Sequence, residues 1–120
     1  ESNTAKIQLY GKADKSAMIT GPDSVFVCGE KAKVYAMIKL ENIRFSGKRE
    51  LKFQVDWIGT NGMSFYSKKI DLPVGDTTNE INSSISVAPE KRLPGRYAVR
   101  LSLAGELIGL KRFELLGDFD

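Results

Sequence analysis

The chain has 120 residues, a formal net charge of +3, 42% hydrophobic residues, one cysteine and no histidine. That length predicts one domain whose core is large enough to fold without a metal or a disulfide. A single cysteine excludes an intramolecular disulfide, and the missing histidine removes the usual general base, every Ser-His-Asp or Cys-His arrangement and any Cys/His metal site.

Glu1–Ala5 is a short polar opening that fits a domain cut out of a longer protein or, the preferred reading, a flexible tether behind an export signal or a lipoprotein sequence, ahead of a single domain over residues 6–116. Lys6 to Tyr10 alternates, with Ile7 and Leu9 facing one way, and reads as the first strand. Ala17 to Thr20 is a short second piece, followed by the turn signal Gly21-Pro22-Asp23. Ser24 to Cys28 is apolar and β-branched, which predicts a strand with Cys28 as a buried filler.

Lys31 to Glu41 carries the clearest period of two, with Ala32, Val34, Ala36, Ile38 and Leu40 on one face and Lys33, Tyr35, Met37, Lys39 and Glu41 on the other. Such a pattern predicts a half-buried antiparallel strand with one wet side. Asn42 to Lys48 is a connection. Glu50 to Ile58 turns Leu51, Phe53, Val55 and Trp57 inward and Lys52, Gln54 and Asp56 outward. Asn61-Gly62 then predicts a hairpin with Met63–Leu72, whose mixed polar pattern marks a strand near an edge.

Pro73 to Asp76 breaks that strand, and Asn79 to Ala88 resumes with Ile81, Ser83, Ile85 and Val87 inward. Pro94 presets a turn and Gly95 frees the backbone before Tyr97, Val99, Leu101 and Leu103 alternate inward. Ala104-Gly105-Glu106 turns the chain into a last strand, Leu107 to Leu116, where Gly109 marks an expected bulge. Residues 117–120 form a short acidic tail. Seven to eight strands at this spacing, without a helix, predict an all-β antiparallel sandwich.

Three stretches resemble bacterial immunoglobulin-like β-sandwich domains: Trp57 at the end of an alternating strand, Leu93-Pro94-Gly95-Arg96-Tyr97-Ala98-Val99 as the entry to the penultimate strand, and Leu103–Ile108 with Arg112–Leu115 as the closing hairpin. The resemblance covers roughly residues 25–115 and implies the fold. It also implies an accessory module of an exported protein, chaperone, adhesin or lipoprotein. The second cysteine of antibody-type domains is missing.

On these residues the chain is expected to be no enzyme. It is expected to need no cofactor or metal, take no small-molecule substrate, bind no nucleic acid, and meet a membrane only through a lipid anchor outside this sequence. Its basic residues occur in scattered pairs rather than on one face, as a nucleic-acid surface would require. The expected partner is another protein, in the periplasm or at the cell surface. The expected binding face carries Tyr35, Met37 and Lys39 with Phe65 and Tyr66 from the hairpin, because Tyr and Met are enriched at interfaces. Trp57, Pro94, Gly95 and Tyr97 are assigned structural roles. The alternatives are a carbohydrate-binding module that uses aromatic platforms, and a protease-inhibitor or immunity-type protein that presents Asn42–Arg49.

Overall fold

A computed structural model of the chain describes residues 4–12, 18–20, 25–29, 32–41, 50–73, 79–88 and 90–117. The first strand, β1 (Thr4–Lys12), begins two residues inside the segment read as a tether, with Thr4 Oγ1 donating to Glu41 O at 3.2 Å. It is followed by β2 (Met18–Thr20), β3 (Val25–Val27), β4 (Lys33–Glu41) and β5 (Glu50–Ile58). The second half supplies β6 (Ser64–Pro73), β7 (Glu80–Ser86), β8 (Gly95–Leu103) and β9 (Glu106–Leu116). The Asn42–Arg49 loop, the Gly21-Pro22-Asp23 turn and residues 118–120 lie outside the described residues.

These nine strands form two sheets, ordered β2-β1-β4-β7 and β3-β9-β8-β5-β6. Their inward sets are the ones the period of two picks out: Val34, Ala36 and Ile38; Leu51, Phe53, Val55 and Trp57; Ile81, Ser83 and Ile85; Tyr97, Val99, Leu101 and Leu103. Cys28 is buried among them. One pairing departs from the all-antiparallel expectation, since β3 runs parallel to β9 with Phe26 opposite Leu115. Alternation reports which residues face inward, whereas the chain's path between sheets decides a neighbour's direction. β2 belongs to one sheet and β3, five residues on, to the other.

Both hairpins of the five-stranded sheet form where turn residues predict them. Between β5 and β6, Gly62 N–H donates to Gly59 O at 3.0 Å and Met63 N–H to the Asn61 side chain at 3.0 Å. Only Gly62 of the Asn-Gly pair takes a positive φ, so the link is a type I turn followed by a left-handed residue. In the β8–β9 pair the register shifts between Leu101 and Ser102, making Ile108, beside Gly109, the extra residue. Gly109 faces β1, where a Cβ would stand in ordinary contact, 3.4 Å from Ile7 Cδ1.

At the corner before β8, the Tyr97 hydroxyl donates back to Leu93 O at 2.6 Å. Gly95 adopts φ +146°, and a Cβ at that position would meet Thr60 Cγ2 at 2.8 Å, so the corner closes directly on the β5–β6 turn. Aromatic rings continue inward from there. Phe113 stacks on Tyr97 at 5.5 Å, while Trp57 and Phe26 meet Phe113 edge-on at 5.9 and 6.1 Å.

The two sheets are joined by Trp57 Nε1–H of β5 donating to Ser83 Oγ of β7 at 2.9 Å, both residues being buried. Ser83→Ala strands that indole donor and should cost about 1–3 kcal/mol. Trp57→Phe costs its own cavity, so the double variant should lose less than the sum of the two single losses. Urea unfolding of the four proteins measures this coupling; strict additivity would show that the bond contributes nothing.

On the outer face of β5, Asp56 is the one described carboxylate that is buried. The pattern places it outward with Lys52 and Gln54, and so it is, but Arg100 of β8 and Ser67 of β6 close over it. Ser67 Oγ and Gln54 Nε2 donate to Oδ1, and Arg100 Nε donates to Oδ2 at 3.3 Å. Burial alone would raise the carboxyl pKa. The hydrogen bonds from Ser67, Gln54 and Arg100, with the Arg100 charge, outweigh burial and hold it below its ordinary value. A depressed folded-state pKa stabilises the fold above the unfolded value of about 3.9, and this contribution fades as pH falls through the folded-state value. Asp56→Asn should therefore flatten the acid limb of a stability-versus-pH curve; an unchanged limb would overturn the assignment.

Candidate functional site

The outer face of the four-stranded sheet is laid out by the register of three strands. Lys6, Lys39 and Glu80 form one row, Gln8, Met37 and Asn82 the next, and Tyr10, Tyr35 and Ser84 the third. Tyr35 and Met37 are half-buried and Lys39 is exposed, as expected of side chains standing on a solvent-facing sheet. Directly opposite Tyr35, Tyr10 stacks on it with centroids 5.2 Å apart and planes 5° from parallel. Tyr10 has the parity of Lys6 and Gln8, opposite to Ile7 and Leu9. That parity is the signal by which the sequence could have added it to this face.

Lys6 and Lys39 are like charges in a direct cross-strand pair, an arrangement that slightly destabilises a sheet. Neither makes an ion pair among the described residues. Rings turned face to face leave edges and hydroxyls outward, which suits a protein surface better than the pyranose ring of a sugar. Trp57, the other candidate sugar platform, is sealed in the core at 0% exposure.

Phe65 and Tyr66 stand elsewhere, on the edge strand β6 of the five-stranded sheet. Phe65 packs edge-on against Tyr97 at 6.0 Å, and the Arg92 guanidinium lies 4.2 Å above its ring. These contacts tie Phe65 to the corner as well as to the surface. Burial pushes the Tyr97 phenol above its ordinary pKa, outweighing the opposing Arg92 charge, so its hydroxyl stays a donor to Leu93. Tyr66, opposite Trp57, is exposed at the rim. The five residues assigned to one face therefore divide between two surfaces.

A third surface, absent from the sequence reading, is a concavity of about 480 Å³ on the outer face of the five-stranded sheet. Its walls include Lys52, Lys69 and Arg100, with Gln54 and Ser102 between them. Alternation marks Lys52, Gln54 and Asp56 as outward, but which residues of β6 and β8 stand beside them depends on a register invisible in one strand.

No family model and no curated protein matches this chain. Among solved structures it is similar to an immunoglobulin-like protein from Pseudomonas aeruginosa, with 12% identity over 97% of this chain and 98% of that one and a TM-score of 0.56. It also aligns with the alkylpurine DNA glycosylase AlkC of Pseudomonas fluorescens, bound to DNA containing an abasic-site analogue. That match has 18% identity and a TM-score of 0.44, and covers 92% of this chain but 30% of the glycosylase. The first likeness, over nearly the whole of both chains, agrees with the layered sheets and the tyrosine corner: the chain has an immunoglobulin-like β-sandwich fold.

Proposed function

We propose that this chain is a non-catalytic module of an exported bacterial protein, and that it binds another protein through the outer face of its four-stranded sheet. The observation that carries the reading is the stacked Tyr10–Tyr35 pair beside half-buried Met37, flanked by Lys6 and Lys39, on a sheet face that no other element of the described chain covers. Paired tyrosines present large amphipathic area while losing little conformational freedom, and a methionine adapts its shape to what meets it. The buried carboxylate at Asp56 is fully engaged by three donors, which leaves it poorly suited to proton transfer.

Recognition through this face fits better than strand addition at a sheet edge. β6 carries Lys68 on its inward-facing side, where Nζ donates to Asn82 O of β7 at 2.8 Å. That ammonium closes the gap between the two sheet edges and hinders an incoming strand at either one.

Tyr35→Ala combined with Met37→Ala should weaken capture of the protein's partner from extracts of its source at least about tenfold, with an unaltered circular dichroism spectrum. A partner held at full affinity by the folded double variant would rule this face out. Fractionation of cells producing the full-length protein tests the export expectation separately.

A further inference from the structure

Arg100 is held in an uncommon way for a residue on an open sheet face. Its Nε is taken by a carboxylate whose side chain is only 5% exposed, while its own side chain remains 46% exposed. Asp56 thus engages Nε, while the two terminal nitrogens, the end-on fork, have no hydrogen-bond partner among the described residues. Ser67 and Gln54 complete the carboxylate's shell, so the anchor does not depend on any further cation.

The register places two more cations around the same spot. Lys69 of β6 and Ser102 of β8 stand directly across from Gln54 on either side, and Lys52 precedes Gln54 by two residues on the same face. Strands about 4.8 Å apart and rows about 6.8 Å apart put the arms of Lys52, Lys69 and Arg100 within reach of a point above Gln54. Lys52 has a 3.9 Å contact with Glu50 at a well-exposed position, and Lys69 has no ion pair among the described residues. The lining carries three cations, Lys52, Lys69 and Arg100, against two carboxylates, Asp56 and Asp71, around the neutral amide of Gln54, and the concavity has room for a small organic group.

We propose that this concavity binds a carboxylate, seated over Gln54 with its oxygens on the free fork of Arg100 and steadied by Lys69 and Lys52. An end-on guanidinium matches a planar carboxylate, with two parallel charge-assisted hydrogen bonds. Asp71, opposite Lys52, and Asp56 also line the concavity, and two carboxylates against three cations leave an excess of one positive charge, which suits a carboxylate monoanion better than a phosphate dianion. The carboxylate can come from a free small acid or from an acidic side chain of a polypeptide.

Amide-detected NMR titration of the folded chain at constant ionic strength tests this. The probes are sodium glutarate, a capped Gly-Glu-Gly peptide and inorganic phosphate, with sodium chloride as the blank. Saturable shifts are expected at the Gln54 side-chain amide, Ser102 and Gly105, and none at Tyr35. Arg100→Lys keeps the charge but loses the fork and should weaken binding about tenfold, and Lys69→Gln should weaken it several-fold. Tighter binding of the peptide than of glutarate assigns the source to a polypeptide; the reverse assigns it to a free acid. Shifts no larger than those with chloride, or equal affinity in folded Arg100→Lys, would reduce the Asp56–Arg100 pair to a structural role. Phosphate binding more tightly than either carboxylate would overturn the ligand class.

Discussion

One hydrogen bond between the layers, from the Trp57 indole to Ser83, sets the relation of everything else. Two packed sheets held only by apolar contact can slide with small loss, because burial does not depend on direction. A buried donor with one acceptor on the facing sheet cannot slide without losing its partner in a medium where no water replaces it. The bond thus selects one alignment of β5 over β7, and the aromatic contacts of Trp57, Phe113, Tyr97 and Phe26 propagate that choice across the five-stranded sheet. Tyr97 in turn fastens the corner to Leu93, and Gly95 admits Thr60.

The edges show the same economy of means. β2 and β3 are three residues long, too short to offer an attractive template. β6 and β7 are longer and lie on adjacent sheet edges, and Lys68 bridges them with a charge that an added strand would have to bury or expel. Pro73, with no amide hydrogen, is the last residue of β6. With the edges protected in this way, the outer faces present side chains rather than unpaired backbone groups to the surroundings.

The fold was legible in the sequence because nearly every strand is buried on one side only. Where one face is wet, apolar residues recur every second position, and Lys33–Glu41 and Glu50–Ile58 announce their inward sets without ambiguity. The Tyr97 corner was legible for a different reason: proline, glycine and tyrosine each have a backbone or hydrogen-bonding requirement that few other arrangements meet. What escaped was whatever depends on two strands at once. Asp56 is outward by parity yet buried, because Arg100 and Ser67, 44 and 11 residues away, arrive beside it. Phe65 and Tyr66 share the hairpin's exposure with the sheet surface but lie on a different sheet from Tyr35. Tyr10 joins Tyr35 only through the β1–β4 register.

Sites built on sheet faces inherit their accuracy from register. A slip of one residue in β4 would send Tyr35 and Met37 into the core and bring Val34 and Ala36 out, so burial of the inner face alone fixes the outer one. The same holds for Arg100, whose neighbours Val99 and Leu101 are fully buried. The β5–β8 pairing runs without a register shift from Phe53 opposite Leu103 to Ile58 opposite Ala98, and Asp56 meets Arg100 within it, while the shifts beside Trp57 and between Leu101 and Ser102 belong to the β5–β6 and β8–β9 pairs. Buried pairs on both sides, Val55 opposite Leu101 and Trp57 opposite Val99, hold this run in register and so keep Arg100 beside Asp56. The apolar interior thereby orients polar groups that it never touches.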